Sequence, residues 1–282
     1  MIFYGFRTGV DFAGGALLEV RLAQPKSEIG AESLIERAYK EVVGLDVAAQ
    51  GVGENRFIVR SREIENAQKN QILALLEDSF EQAEELRFER VSPTISEDVT
   101  RKAVLAVILA VLAILFYISL SFRRIPKPTS SVRFAMAAVL ALIHDVLILL
   151  GAYSLVSHFW GAEVDGLFIT ALLTLLGFSV HDTIVTFDRI RENLRRRRVE
   201  ESFEEIANRS ILETLTRSIN TSYTLILVLV AVFFFGGSTL KFFSLALIIG
   251  VFFGTYSSIF IATPILVWWQ RRAEKQVSRP AG

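Results

Sequence analysis

Apolar positions along this chain change their spacing once, near Val99. Up to about Pro93 the pattern alternates between strand and helix periods. Ala16 to Leu22 (ALLEVRL) reads as a strand, and Ser27 to Val43 reads as a helix with Ile29, Leu34, Ile35, Ala38, Tyr39 and Val42 at helical spacing. Asp46 to Val52 and Arg56 to Arg60 read as short strands around a Gly-Glu-Asn turn, which predicts a hairpin. Glu63 to Phe80 follows as a second amphipathic helix, and Leu86 to Val91 (LRFERV) alternates as a fourth strand. The order β-α-β-β-α-β is that of the ferredoxin-like split unit. A head of about 80 residues lies near the lower limit for an independent core, so marginal stability in isolation is expected.

Beyond Val99 five apolar stretches follow, at Ala103 to Phe122, Phe134 to His158, Leu167 to Phe187, Ile219 to Phe235 and Phe242 to Trp269. Each is near or above the ~20 residues that cross a bilayer as a helix. The segment 202–216 (SFEEIANRSILETLT) is too polar to span and predicts an interfacial helix leading into the fourth stretch. The expected fold class is therefore an α+β membrane protein, a helical bundle carrying one small mixed head.

Composition agrees with this division. The chain is 52% apolar with 22 Phe, and its mean hydropathy is +0.44, values of a polytopic membrane protein with one soluble portion. The net charge of zero points to no nucleic-acid partner, and the absence of cysteine excludes disulfides and thiolate metal sites. Charge placement sets the orientation. The loop after the first stretch carries Arg123, Arg124, Lys127 and Arg133 without an acid, whereas Gly161 to Gly166 carries Glu163 and Asp165 without a base. Basic loops stay in the cytoplasm, which puts Arg189 to Arg198 and the C-terminal tail inside and the head outside. A head exported ahead of all the spans needs a signal or anchor, and Met1 to Phe6 (MIFYGF) is too short to be one. The reading is that a first transmembrane helix is missing and that this fragment is its outer end, giving six spans in all; a five-span protein with a post-translationally inserted head is the alternative. The expected domains are 1–8 as the end of that helix, 9–98 as the head, 99–272 as the bundle with a cytoplasmic loop at 188–217, and 273–282 as the tail.

Chemistry concentrates in a few places. Gly9, Asp11, Gly14 and Gly15 in GVDFAGG form a turn motif that sets the entry into the first strand or is an ordinary helix-to-strand turn. Trp268 and Trp269 followed by Arg271 and Arg272 look like an anchor at the inner interface. Within the spans, Asp182 is the first functional candidate, because a carboxylate in hydrocarbon has to face the bundle interior, pair with a cation or take up a proton. The fourth stretch runs antiparallel and begins near Arg217, so Arg217 is expected at the depth of Asp182 and within reach of it. Such a pair either exchanges a proton as the helices move or is a static ion pair. Asp145, halfway along its span, reads equally as a relay member and as a polar anchor, with His144 and His181 as further relay candidates; Asp188, at the boundary, is explained by pairing with Arg189 or Arg191. Gly250 and Gly254, with Gly177, Ser179, Ser257 and Ser258, read as small packing positions. There is no P-loop lysine motif, no metal-ligand spacing among His144, His158 and His181, and no nucleophile paired with a base. The chain is expected to be no enzyme and to need no cofactor, taking energy from an ion gradient or a partner.

GVDFAGG at 9–15, VSPTIS at 91–96, ALIHDVLI at 141–148, FSVHDTIVTFDRIRENLR at 178–195, LTRSINTSYT at 215–224 and FFGGSTLKFFSLALIIGVFFGTYSSIFIATP to residue 264 together resemble the SecF family, collinearly over almost the whole chain. The resemblance implies six spans in an RND-like bundle, a periplasmic ferredoxin-like head after the first span, and a location in the bacterial inner membrane. It implies SecD as partner, the SecYEG channel as neighbour, YajC and YidC as further candidates, and use of the proton-motive force to promote export of secreted polypeptides alongside SecA. The family's essential membrane carboxylate matches Asp182, and its essential arginine matches Arg217. Ala13 departs from the Thr that many relatives carry in the glycine motif. An RND-type carrier of small molecules or lipids and a non-transporting assembly scaffold are the competing classes.

Overall fold

The computed structural model describes residues 5–23, 30–52, 55–123, 125–126, 129–197 and 201–277. It divides into two compact units, Thr8–Ala103 and a second made of Met1–Arg7 with Val104–Gly282.

The first unit carries the elements α1 (Val10–Ala13), β2 (Gly15–Leu22), α2 (Ala31–Val43), β3 (Ala49–Gly51), β4 (Arg56–Ser61), α3 (Asn66–Ser79) and β5 (Ala83–Val91), after a two-residue strand β1 (Arg7–Thr8). The sheet order is β3-β4-β2-β5, and every pairing is antiparallel. Strand β2 lies inside this sheet and is buried along nearly its whole length. Its Ala16, Leu18, Val20 and Leu22 face α2 and α3 and form one core with Ile35, Tyr39, Ile72, Leu76 and Phe80. Helix α2 stops where Gly44 takes a left-handed φ of 69° and returns its N–H to the Lys40 carbonyl. The helix α3 starts on a capping box between Glu65 and Gln68. Of the helix expected from Ser27, the first residues lie outside the described ones, as do Gly53 and Glu54 of the hairpin turn.

The glycine motif has a steric reason. Gly14 ends α1 at φ 70°, and Gly15 opens β2 at φ 109°, where a β-carbon would lie 2.4 Å from the Ser61 carbonyl oxygen. Helix α4 (Pro93–Ser121) begins at Pro93, whose missing N–H costs nothing in a first turn, and the Ser96 hydroxyl donates back to the Pro93 carbonyl at 2.9 Å.

The second unit is mostly helical. After α4 come α5 (Ser131–Trp160), a two-residue strand β6 (Glu163–Val164), α6 (Gly166–Arg195), α7 (Phe203–Phe235), α8 (Gly237–Ser257), a π-turn (Ser258–Ala262) and α9 (Thr263–Val277). Among the described residues five helical runs are long and apolar enough to cross a membrane; the last continues through the π-turn from Thr239 to Glu274. Helices α5, α6 and α8 are the best covered, whereas α4 and α7 present most of their apolar surface outward.

Two sequence expectations are corrected here. The segment 202–216 is no separate interfacial helix but the first half of the 33-residue α7. Ser202 and Glu205 form a capping box at its start, and its apolar face, Phe203, Ile206 and Ala207, packs into one core with Phe187, Ile190 and Leu194 of α6. Burial against protein therefore replaces burial against lipid. For the same reason the expected loop 188–217 is mostly helix, since α6 runs on to Arg195. At that end Phe122, Phe134 and Phe187 meet ring to ring, with centroids 5.1–6.0 Å apart. Within α9 the Arg272 guanidinium lies 4.1 Å from the Trp268 ring.

Candidate functional site

Among the described residues two carboxylates, Asp145 and Asp182, are buried among the helices of the second unit, each held by hydroxyl groups. Asp182 projects from the middle of α6 and is 6% exposed. Its Oδ1 accepts from Ser218 Oγ of α7 at 2.5 Å, and its Oδ2 accepts from Ser258 Oγ of the π-turn at 2.9 Å. Asp145 projects from the middle of α5 and is 1% exposed. Its Oδ2 accepts from Ser179 Oγ of α6 and, at 2.7 Å, from Ser257 Oγ of α8, while His144 Nδ1 stands 3.1 Å from Oδ1. Adjacent serines of the last span thus address different carboxylates.

Close helix packing brings these groups together. A β-carbon at Gly250 would lie 2.9 Å from Leu175 Cδ1, and one at Gly254 would lie 3.2 Å from Ser179 Cβ. The GxxxG pair therefore admits α6 against α8, one helical turn from the serines that reach both carboxylates. Ser222 of α7 and Thr255 of α8 add a hydroxyl–hydroxyl bond in the same layer.

Arg217 and Asp182 are brought to the same depth but not to each other. Successive helical residues point about 100° apart, so only one of Arg217 and Ser218 can face α6. Ser218 does, and it is buried; Arg217 is exposed. The guanidinium lines a cleft of about 640 Å³ shared with Asp188, Arg189, Arg191, Glu213 and Thr214. Among the described residues the expected Asp182–Arg217 ion pair does not form; two serine hydroxyls replace it. His181 is exposed, and His144 stands against Asp145. Asp188 pairs with Arg191, whose guanidinium also donates to the Ser121 carbonyl at 2.9 Å.

Of the hydroxyls that complete the site, Ser179, Ser257 and Ser258 read in the sequence as small packing positions, and Ser218 is not singled out there. Their spacing carried a signal: Ser210, Thr214, Ser218 and Ser222 recur every four residues and so share one side of α7. Ser210, Thr214 and Ser222 donate to carbonyls of their own helix, at 2.7, 3.0 and 2.8 Å. Ser218 breaks that series by donating to Asp182. Below it, Asn193 of α6 bridges Ser210 at 3.0 Å and Glu213 at 2.8 Å, and Arg189 pairs with Glu213 at 2.6 Å, so a run of polar contacts lies beside the apolar core between α6 and α7.

A hydroxyl is donor and acceptor at once. It can donate to a carboxylate and accept from a carboxylic acid, so the cage around Asp182 satisfies both protonation states without rearranging its heavy atoms. The arrangement suits reversible proton uptake by a group removed from water.

The chain matches the family described as protein export membrane protein SecD/SecF, C-terminal, over residues 71–272. It is 42% identical over 280 residues to the protein translocase subunit SecF of Thermobaculum terrenum, covering 96% of this chain and 87% of that protein. To the SecF subunit of Anaerolinea thermophila it is 40% identical, covering all of this chain and 91% of that one. The crystal structure of SecDF from Thermus thermophilus, a translocon-associated membrane protein, superposes with a TM-score of 0.80 at 35% identity. That match covers 96% of this chain, and the chain spans about a third (35%) of that structure. On sequence and on structure alike, the chain belongs to the SecD/SecF family of protein export membrane proteins.

Proposed function

We propose that this chain is a SecF subunit that works with SecD in the bacterial inner membrane, using the proton-motive force to promote export of secreted polypeptides through the SecYEG channel. The observation that carries this reading is Asp182, a carboxylate buried in mid-span within a cage that accommodates it with or without a proton. A relative of this chain named SecDF, of which the chain covers 36%, supports SecD as partner; YajC and YidC follow from the family resemblance alone. The basic loops support an orientation with the C-terminus and the 640 Å³ cleft inside and the head outside. The strand order β3-β4-β2-β5 supports a ferredoxin-like head, and the family plan of six RND-like spans supplies a helix before Gly5.

Arg217 enters the mechanism through rotation. It precedes Ser218 by one residue, so turning α7 by about 100° about its axis exchanges the serine for the guanidinium opposite Asp182. The serines satisfy Asp182 in either state, but an ionised Asp182 gains further from a guanidinium opposite it, whereas a protonated one does not. Loss of the proton toward the cleft thus favours one setting of α7 and its recapture the other. One charge moved through the whole potential supplies ~2.3 kcal/mol per 100 mV, enough to bias a two-state element of a few kcal/mol.

The test is secretion of a reporter protein, with and without a proton gradient, in cells whose SecF is the full-length chain carrying Asp182→Asn, with membrane level and SecD binding followed in parallel. Loss of the gradient-dependent part of export in a normally assembled mutant is expected. Full gradient dependence in that mutant makes the chain a scaffold for its partners instead.

A further inference from the structure

Proton exchange at Asp182 leaves Asp145 without a part, although Asp145 is the more deeply buried of the two. The groups facing it from the elements packed around it are Ser179 of α6, Ser257 of α8 and its own neighbour His144. Its effect on the proton site can run through the chain, because the residue after Ser257 is Ser258, a donor to Asp182.

That connection passes through the π-turn. Each of the two serine hydroxyls has a single hydrogen and two acceptors in reach. For Ser258 these are Asp182 Oδ2 and the Thr255 carbonyl, both at 2.9 Å. For Ser257 they are Asp145 Oδ2 at 2.7 Å and the Gly254 carbonyl at 3.1 Å. The direction of Ser258 is therefore set not by its own alternatives, which are equal in length, but by the setting of the turn that carries it. Thr263 Oγ1 donates to the Ser258 carbonyl at 3.2 Å from the far side of the turn. On the near side the fixed point is Ser257, tied across to α5.

We propose that Asp145 is a positioning residue for the Asp182 site: by holding Ser257 it fixes the π-turn so that Ser258 faces Asp182, and it takes no part in moving the proton. The inference rests on the reading of Asp182 as the proton site. Its chemistry separates it from a second relay. A relay needs a titratable group, whereas a positioning group needs only an acceptor. Asparagine at 145 supplies one: its amide oxygen, placed where Oδ2 stands, accepts from Ser179 and Ser257, and its amide nitrogen donates to His144 Nδ1. Leucine fills the space and accepts nothing.

The experiment compares Asp145→Asn, Asp145→Leu and Ser257→Ala in the full-length chain with its SecD partner. It reads gradient-driven export, and the infrared band of the Asp182 carboxyl, identified as the band that Asp182→Asn removes. Asp145→Asn is expected to retain most of the export and the band position. Asp145→Leu and Ser257→Ala are expected to shift the band and to lose about fivefold in export, the factor for one buried hydrogen bond. Loss in Asp145→Asn equal to that in Asp145→Leu overturns the proposal, because the carboxyl then matters for its proton. Export and band unchanged in both Asp145→Leu and Ser257→Ala overturns it too. If Asp145→Leu fails to assemble, Ser257→Ala carries the same comparison. Should Asp182→Asn itself keep full gradient dependence, the proton reading of Asp182 fails, and the band shift still decides whether Asp145 positions that site.

Discussion

Alanine placed at each of four glycines in the spans separates close helix packing from helix propensity. A β-carbon at Gly151 or Gly177 would meet nothing within 4 Å, whereas at Gly250 and Gly254 it would meet α6. Replacing a mid-helix glycine gains up to ~1 kcal/mol from propensity at any of the four. At Gly254 the obstacle is Ser179 Cβ at 3.2 Å with Ser179 Cα at 3.5 Å behind it. No side-chain rotation moves those atoms, so α6 and α8 have to part by a few tenths of an ångström, an overpacking cost of about 1–3 kcal/mol. At Gly250 the obstacle is the end of Leu175, which can turn, though only into occupied space, since Leu175 is buried. The expected order of stability is therefore Gly151→Ala and Gly177→Ala at or above wild type, Gly250→Ala near it, and Gly254→Ala about 1–2 kcal/mol below. At roughly 2–4 °C per kcal/mol, that lowers the melting midpoint of Gly254→Ala by several degrees. The parting of the helices also draws Ser179 off Asp145. Thermal unfolding of the full-length protein in lipid nanodiscs, followed by tryptophan fluorescence, measures the series. A midpoint for Gly254→Ala equal to or above that of Gly177→Ala refutes the close approach of α8 to α6.

Two further outcomes concern the head. Gly15→Ala should abolish its folding, because the new methyl would lie 2.4 Å from the Ser61 carbonyl at a φ of 109°; limited proteolysis of the membrane-inserted protein reads this, and a head as resistant as wild type counts against it. Tyr39→Phe should stabilise the head by about 1 kcal/mol, because the Tyr39 hydroxyl is buried without a hydrogen-bond partner among the described residues. Burial raises the Tyr39 pKa above the ordinary tyrosine value, so its contribution is intact below about pH 10 and is lost as pH rises beyond that. Alkaline unfolding curves should accordingly lose part of their decline in Tyr39→Phe, and superimposable curves would contradict the assignment.

Legibility differed between the units. The head's strands and helices were readable because each is amphipathic with a distinct period, and Ala16, Leu18, Val20 and Leu22 announce a buried strand by composition. The spans were readable by length and apolarity. The segment 202–216 was not, because an amphipathic helix looks the same whether its apolar face meets lipid or, as here, Phe187 and Leu194. The π-turn at Ser258 was equally invisible, since nothing in SSIFIA distinguishes five residues of π-turn from α-helix.

At the candidate site, Asp182 and the depth of the residue opposite it followed from the chain alone. An ionisable group in an apolar run has few places to go, and two antiparallel helices joined by a short connection keep their residues in register. Which of Arg217 and Ser218 turns inward did not follow, since both sit at that depth and the choice is one of about 100° of rotation. Rotation is set by packing along the whole of α7, from Phe203 to Leu229, and so belongs to the tertiary structure. The same holds for the serines: Ser257 and Ser258 are ordinary small residues until α8, fixed against α6 by Gly250 and Gly254, presents one to Asp145 and the other to Asp182. Local sequence sets what a residue costs in the membrane, and only the assembled bundle sets which neighbour meets that cost.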